Sequence, residues 1–362
     1  MIYRFLFIVI ITSTLYSCAD SHEETTDDFN RAILLQEWAD NLIIPAYEFY
    51  RNGLSEMEFW VKEFQEERNS ESLDSLRSVY IQTYRLWQYA AQFNIGKAEE
   101  IQLINYTNIY PTDTVKILAN VESQEFNLIL PSNYVAQGFP AIDFLLFRVA
   151  SSEQAVQYLD LEKTAYLIEL ISQLIQLTTS VIEDWTTSYR EAFINKSGSS
   201  ATASVDKMVN DYIYYLEKHV RAAKVGIPAG VFSGGLLPQN VEAIYAEDIN
   251  QVLLRDAVES LSSFYYGKSD GNGQDQRSLA SYVQTIDSKI GSESLHTRIS
   301  SQFDHIFTAI DELDSSLQRM TEVDNSKMLA TYDELQKLVI LFKVDMLQLL
   351  NIQVDYVDAD GD

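Results

Sequence analysis

Positive charge, cysteine, proline and glycine are all scarce in this sequence of 362 residues, and each shortage excludes something. The chain has 26 Lys and Arg against 53 Asp and Glu, a formal net charge of −27. Such a surface repels phosphate backbones, so nucleic acid is excluded as a partner. A single cysteine excludes a fold held by disulfides. Six prolines, none after Pro238, and 13 glycines leave few helix breakers and favour a mostly helical chain.

Apolar residues, by contrast, are plentiful. They make up 46% of the chain and aromatic residues 12%, the balance of a packed globular protein and not of a disordered one. At about 150 residues per domain, the length predicts two domains or one large one. No stretch alternates convincingly between apolar and polar residues with a period of two, so no large sheet is expected.

The first 17 residues are typical of a signal peptide. Arg4 supplies a positive charge, and residues 5–11 form an apolar run too short to span the ~30 Å of bilayer hydrocarbon as a helix. Cys18 follows directly after Leu-Tyr-Ser, an arrangement similar to the bacterial lipobox. That resemblance implies a lipid on the Cys18 thiol and an anchor in the outer membrane, facing either the periplasm or the cell surface. The alternative is cleavage nearby, which would leave a free thiol.

Composition divides the rest of the chain. Residues 18–28 are polar and acidic and predict a flexible tether. Residues 29–195 and 205–362 each carry enough helical pattern for one bundle, and between them the small polar residues 196–204 predict a flexible seam. The second part ends in an acidic tail, residues 355–362. Its spacing partly resembles a calcium loop, but the chain ends before the bidentate glutamate of such a loop, so a solvated tail is the preferred interpretation.

Apolar residues recur every three or four positions along most of the chain, the pattern of amphipathic helices. In the first half this pattern predicts a long helix over residues 29–64, kinked or broken at Pro45, a second helix over 73–93, and a third of about 30 residues from Leu161. In the second half the predicted helices are residues 205–223, 241–266, 279–289, 295–320 and 327–350. The predicted fold class is all-α.

The connection of residues 226–238, G-I-P-A-G-V-F-S-G-G-L-L-P, is both glycine-rich and apolar. A loop of that composition tends to pack against something, often a neighbouring domain or a ligand. It is therefore a candidate wall of a binding site. Residues 267–275 form the other conspicuous connection, which is polar and predicts a plain flexible loop.

Most catalytic templates are missing from the sequence. It contains no G-x-x-x-x-G-K-[ST], no G-x-G-x-x-G, no H-E-x-x-H and no G-x-S-x-G. The four histidines are His22, His219, His296 and His305. None of them has an acidic residue or a second histidine three or four positions later in the sequence. A solvated or core-edge position is therefore preferred for them over a metal-binding one.

One segment stands apart, residues 137–147, Q-G-F-P-A-I-D-F-L-L-F. It resembles the signature of the imelysin family (insulin-cleaving metalloproteinase-like proteins, with iron-regulated periplasmic and outer-membrane members), whose motif G-x-H-x-x-E lies in the context G-F-H-A-I-E-F-L-L-F. Pro140 stands where the family has histidine, and Asp143 where it has glutamate. Other segments resemble family landmarks in the expected order: L-I-I-P-A-Y at 42–47, I-Y-P-T-D at 109–113, K-V-G-I-P-A-G at 224–230 and V-D-A-D-G-D at 357–362.

The resemblance implies two helical bundles related by a loose internal duplication, with any ligand cavity between them. The predicted lining and ligand-binding residues are Gly138, Phe139, Pro140, Asp143, Gly226 and Pro228. Pro140 has no side-chain donor atom, and Asp143 alone supplies too few ligands for a zinc site. Three interpretations of Pro140 and Asp143 stay open. In the first, Pro140 and Asp143 favour the start of a helix. In the second, both residues belong to a remnant ligand pocket. In the third, Asp143 is one ligand of iron or another divalent cation.

Three functions are compatible with the resemblance. The first is a cell-envelope lipoprotein without peptidase activity, which binds a ligand or partner protein and is linked to iron or haem uptake. The second is a metal-dependent peptidase, in which Glu242 or His219 would join Asp143. The third is an accessory protein of an outer-membrane transporter.

Overall fold

All regular structure is helical in the residues that the computed structural model describes, 29–267, 277–290 and 294–356, and no strand occurs among them. The all-α prediction is confirmed. The predicted signal peptide, Cys18 and the acidic tether lie outside the described residues, as do most of the polar loop 267–275 and the end of the acidic tail.

The helices of the first half are α1 (Arg31–Glu37), α2 (Ile44–Glu67), α3 (Ser70–Ala90), α4 (Lys97–Glu100), α5 (Leu103–Thr107), α6 (Thr114–Ser123), α7 (Gly138–Phe147), α8 (Ser152–Tyr158), α9 (Leu161–Asp184) and α10 (Arg190–Asn195). Those of the second half are α11 (Ser204–Tyr214), α12 (Asn250–Tyr266), α13 (Leu279–Ile290), α14 (Leu295–Asp311), α15 (Leu317–Val323), α16 (Ser326–Ile340) and α17 (Leu347–Leu349). Wider π-helical turns cover Trp38–Ile43, Trp185–Tyr189, Tyr215–Gly226 and Leu341–Met346. Short 3₁₀ turns cover Pro131–Ala136, Pro238–Asn240 and Glu247–Ile249.

The first helical stretch passes Pro45 without a break. The π-helical turn Trp38–Ile43 joins α1 directly to α2, and the N–H of Ile44 bonds to the carbonyl of Ala39, five residues earlier. Proline has no N–H, and its ring presses on the carbonyl four residues before it. The wider turn gives that carbonyl room, so the alternative of a break at Pro45 is wrong and the helical stretch is continuous there.

Side-chain caps explain where several helices begin. The side chain of Asn69 accepts the N–H of Ser72 at 2.9 Å before α3, and Asp160 accepts the N–H of Lys163 at 2.9 Å before α9. Asp113, the last residue of I-Y-P-T-D, accepts the N–H of Lys116 at 3.0 Å before α6. Asn and Asp are favoured at this position because they satisfy an N–H that has no partner within the helix.

Two helices predicted in the second half are shorter than the apolar pattern indicated. In the region 241–266, residues before the 3₁₀ turn Glu247–Ile249 are irregular, and Ala243 has a φ of +53°, which a helix does not allow. The region 295–320 is interrupted between α14 and α15. There Ser316 caps α15 by accepting the N–H of Arg319 at 3.2 Å.

The two halves share one hydrophobic core. In the first half α2 packs against α3 and α9, and in the second half α16 packs against α14 and the turn Tyr215–Gly226. Contact between α3 and α12 joins the halves. The ring of Phe264 in α12 lies 4.7 Å from Trp38, 5.8 Å from Phe93 and 4.9 Å from Tyr212, measured between centroids. Buried side chains therefore run without interruption from one half into the other.

One helical stretch, residues 161–195, is long and apolar enough to cross a membrane by length and composition. It contains α9, which packs against α2 and α7. These contacts place it among the core helices of the described fold.

Candidate functional site

The segment that carries the family resemblance begins with a close backbone contact. Gly138 opens α7 with a φ of +68°, and a Cβ placed on it would lie 2.2 Å from the carbonyl oxygen of Thr107. Only glycine fits this conformation and this space without a shift. Phe139 follows, and its ring stacks on Tyr84 of α3 at 4.1 Å and 3°. The start of α7 is thereby held between α5 and α3.

Asp143 joins α7 to the second half of the chain. Its carboxylate oxygens accept the backbone N–H groups of Tyr245 and Ala246, each at 2.9 Å, and the residue is only 1% exposed. Burial raises the pKa of Asp143 to about 7, although the two N–H groups lower it. Asp143 is the sixth residue of α7 and so lies beyond the first turn of that helix. The interpretation in which it favours its own helix start is therefore corrected, because its bonds go to another segment.

A buried polar network lies next to this junction. Glu242 forms an ion pair with Lys224, and it also accepts hydrogen bonds from Asn108 at 2.6 Å and Gln88 at 3.3 Å. Lys224 also donates to Gln88 at 2.8 Å. Burial lowers the pKa of Lys224, while Glu242 raises it. Because α3, the segment after α5 and the second half all contribute, the network crosses between the halves.

A cavity of about 150 Å³ opens beside the network. The residues around it come from α3, from residues 104–110, from the stretch Tyr215–Ile227 and from Asn240. Its apolar walls include Trp87, Ile104, Ile109 and Ile227, and its polar walls include Gln88, Asn108, Tyr110, Tyr215, His219, Lys224 and Asn240. Glu242 is satisfied within the network, so the cavity is polar without a free carboxylate among its described lining residues.

Tyr215 and His219 supply polar groups of the cavity that the protein does not use. Their rings stack at 5.7 Å and 24°. Tyr215 is 4% exposed, and neither its hydroxyl nor the imidazole of His219 has a hydrogen-bond partner among the described residues. Burial lowers the pKa of His219 to about 4, an effect that Lys224 strengthens and Glu242 opposes. The imidazole is therefore neutral at pH 7.

The sequence-predicted site residues lie around this cavity, but its walls are formed by their neighbours. Gly138, Phe139, Pro140 and Asp143 are buried in α7 behind Tyr84 and do not line it. Gly226 and Pro228 do not line it either, whereas Lys224 and Ile227 beside them do. None of the six predicted residues forms a wall of this cavity. Helix α7 supports the cavity from behind, because Phe139 stacks on Tyr84, whose hydroxyl donates to Asn108 at 2.6 Å.

The sequence did not predict that most of the polar residues of the cavity come together in one site. Tyr110 lies within I-Y-P-T-D, and Lys224 begins K-V-G-I-P-A-G. These two landmarks meet in one cavity although they are more than 100 residues apart in the chain. Tyr215 and Gln88 lie outside any motif, and no signal in the sequence distinguishes them from core residues.

Metal ligands are not clustered in the described part of the chain. Among the described residues, no group of three or more His, Cys, Asp or Glu side chains is placed to hold a metal ion.

A second cavity, of about 210 Å³, lies between the first helical stretch, α3 and α12. Its described walls are mostly apolar and include Phe49, Phe93 and Phe264 without any charged side chain. Of these two cavities, the one beside Lys224 is the one with convergent polar groups, and we take it as the candidate site.

Comparison with known proteins agrees with this architecture. The family model for imelysin, peptidase family M75, matches residues 43–341. A protein from Parabacteroides distasonis, described as an iron-regulated protein A precursor, has a similar structure with a TM-score of 0.73 at 16% identity, over 91% of this chain and 96% of that one. An imelysin-like protein from Psychrobacter arcticum gives a TM-score of 0.70 at 17% identity, over 90% and 97%. No curated protein sequence matches the chain.

At such identities the structural likeness shows the fold alone, while the family match rests on the sequence. The matched residues include α7, the polar network and every wall of the cavity beside Lys224. They cover most of the chain. The chain therefore belongs to the imelysin family.

Proposed function

We propose that this chain is a ligand-binding imelysin-family lipoprotein of the cell envelope, linked to iron uptake and without peptidase activity. The observation that carries the proposal is the hydrogen bonding of the Asp143 carboxylate. Both of its oxygens are occupied by backbone N–H groups, and Pro140 replaces the family's histidine with a residue that has no donor atom. The family's pair of metal-binding side chains is therefore missing, while a cavity with unused polar groups is present nearby.

The cavity supports a small ligand. Its volume of about 150 Å³ is below the ~300–1,000 Å³ typical of sites for drug-sized molecules. A ligand as large as haem does not fit within it, so we favour iron-linked binding of a smaller molecule. The link to iron rests on the Parabacteroides distasonis protein, which is described as iron-regulated. The envelope location rests on the signal sequence and Cys18.

Metal content is the test that separates the proposal from the peptidase alternative. Purified protein, dialysed against iron or zinc and then against buffer, should retain far less than one equivalent of either metal and should not cleave peptides. The double variant Pro140→His with Asp143→Glu restores the family's pair and serves as the comparison. A stoichiometric ion in the unmodified protein, or metal-dependent cleavage, would contradict the proposal and favour a peptidase that uses Glu242 or His219.

Membrane attachment and partners need separate experiments. Cys18→Ala should move the protein from the membrane fraction to the soluble fraction if the thiol carries the lipid. An unchanged distribution would remove the lipoprotein part of the proposal. Co-purification of the unmodified protein with an outer-membrane transporter from envelope extracts would favour the accessory role.

A further inference from the structure

We infer that the cavity beside Lys224 binds the carboxylate of a small organic acid with an apolar body. This inference rests on the proposed function, since it names the ligand class of the same cavity. It follows from the balance of donors and acceptors in the lining, from the size of the cavity and from its apolar walls.

Several hydrogen-bond donors of the polar lining are not used by the described residues. Lys224 is the only charged residue among the described lining residues, and its ammonium uses two of its three N–H bonds, on Glu242 and Gln88. The hydroxyl of Tyr215 has no partner in the described part of the chain, although its side chain is more than nine-tenths buried. Tyr110 and His219 add a second hydroxyl and an imidazole. Such groups suit an acceptor-rich ligand.

The buried carboxylate beside the cavity, that of Glu242, has its hydrogen-bonding capacity taken up, and the ligand would meet the N–H and O–H groups of the lining rather than a net charge. Glu242 stands behind the lining and is held by Lys224, Asn108 and Gln88. The net charge of −27 belongs to the whole surface. At physiological ionic strength such distant charges are screened over ~8 Å, so the groups in contact with the ligand decide its sign.

The apolar walls and the volume define the rest of the ligand. Trp87, Ile104 and Ile227 contribute apolar surface to the same cavity as its polar groups. A cavity of ~150 Å³ lined by apolar side chains is large enough to admit benzene. The volume of about 150 Å³ found here therefore suits one ring or a short branched chain attached to the carboxylate.

Three probes of one shape test the charge of the ligand. Benzoate, benzamide and benzylamine share a ring and differ in carrying a negative charge, no charge or a positive charge. Calorimetric titration of the purified protein should give the tightest binding for benzoate, about tenfold tighter than benzamide, and the weakest for benzylamine. Equal or tighter binding of benzamide or benzylamine would overturn the carboxylate while leaving a ligand cavity.

Substitutions in the lining test whether benzoate binds in the cavity beside Lys224. Tyr215→Phe keeps the ring and removes the hydroxyl, so benzoate should bind about tenfold more weakly. Tyr214→Phe is the matched control, because Tyr214 is the preceding residue, 40% exposed and outside the lining. Ala223→Leu, at a half-buried lining position, should fill the cavity and abolish benzoate binding.

The outcomes are distinguishable from those of the metal experiment. No benzoate binding at all, or equal benzoate affinity in Tyr215→Phe and Tyr214→Phe, overturns this inference. Stoichiometric metal or peptide cleavage overturns the proposed function instead, whichever probe binds.

Discussion

Gly138, which lies behind the candidate site, leaves no room for a side chain. Its φ of +68° and the 2.2 Å that would separate a Cβ from the Thr107 carbonyl oxygen act together against any side chain. We expect Gly138→Ala to lower the free energy of unfolding by about 2–4 kcal/mol, from backbone strain and steric contact. Urea denaturation measures the change. Gly198→Ala is the control, because a Cβ there meets nothing within 4 Å.

Asp143 accepts two backbone N–H groups and so needs two acceptor oxygens. Asp143→Asn replaces one of them with an NH₂ group that faces an N–H. We expect a loss of about 1–3 kcal/mol in the free energy of unfolding, the cost of a buried donor left without an acceptor. Asp304→Asn, at an exposed position of α14, should change stability by less than about 0.5 kcal/mol. Equal stability of the two variants would show that the Asp143 bonds contribute nothing.

His219 should make stability depend on pH. Burial lowers its pKa in the folded chain to about 4, from an ordinary value of 6.5. Between these values the unfolded chain binds the proton of His219 and the folded chain does not, so the contribution of His219 to the free energy of unfolding falls as pH falls from 6.5 to 4, whereas the raised pKa of Asp143 acts in the opposite direction. In His219→Gln this contribution is missing, so the stability of the variant relative to the unmodified protein should rise as pH falls through that window. Parallel stability curves for the two proteins would contradict the assignment.

At the scale of elements, the interruption between α14 and α15 depends on Ser316. Its hydroxyl accepts the N–H of Arg319 at 3.2 Å and donates to Glu247 at 2.9 Å, and the residue is fully buried. We expect Ser316→Ala to lower the free energy of unfolding by about 1–2 kcal/mol. Ser294→Ala removes the longer cap of α14, at 3.4 Å, and should cost about 0.5 kcal/mol in thermal or urea unfolding.

The apolar pattern predicted helix positions well but could not predict how they end or join. Helices α3 and α9 lie close to their predicted ranges, since their apolar patterns and caps agree. The apolar pattern over residues 295–320 continues through the interruption, because apolar residues beyond α14 are also buried. At Pro45 the sequence showed the obstacle, and only the backbone showed that a wider turn accommodates it.

At the scale of the whole molecule, the shared core predicts one unfolding transition. Phe264 of α12 contacts Trp38 and Phe93 of the first half, and Arg85 of α3 pairs with Asp256 of α12 at 2.7 Å. We expect far-ultraviolet circular dichroism and tryptophan fluorescence to give coincident urea transitions. Phe264→Ala should shift both by the same amount, with a loss of about 3–5 kcal/mol. Two separate transitions would show that the halves fold independently.

The sequence by itself determined the helical class, the family and the segments that matter, because periodicity and motif identity are local properties. Only the tertiary structure decided which contacts those segments make. It turned Asp143 toward the N–H groups of Tyr245 and Ala246, and it brought Tyr110 and Lys224 into one cavity. Contacts between residues far apart in the chain depend on how whole helices pack, and packing leaves no periodic trace in the sequence.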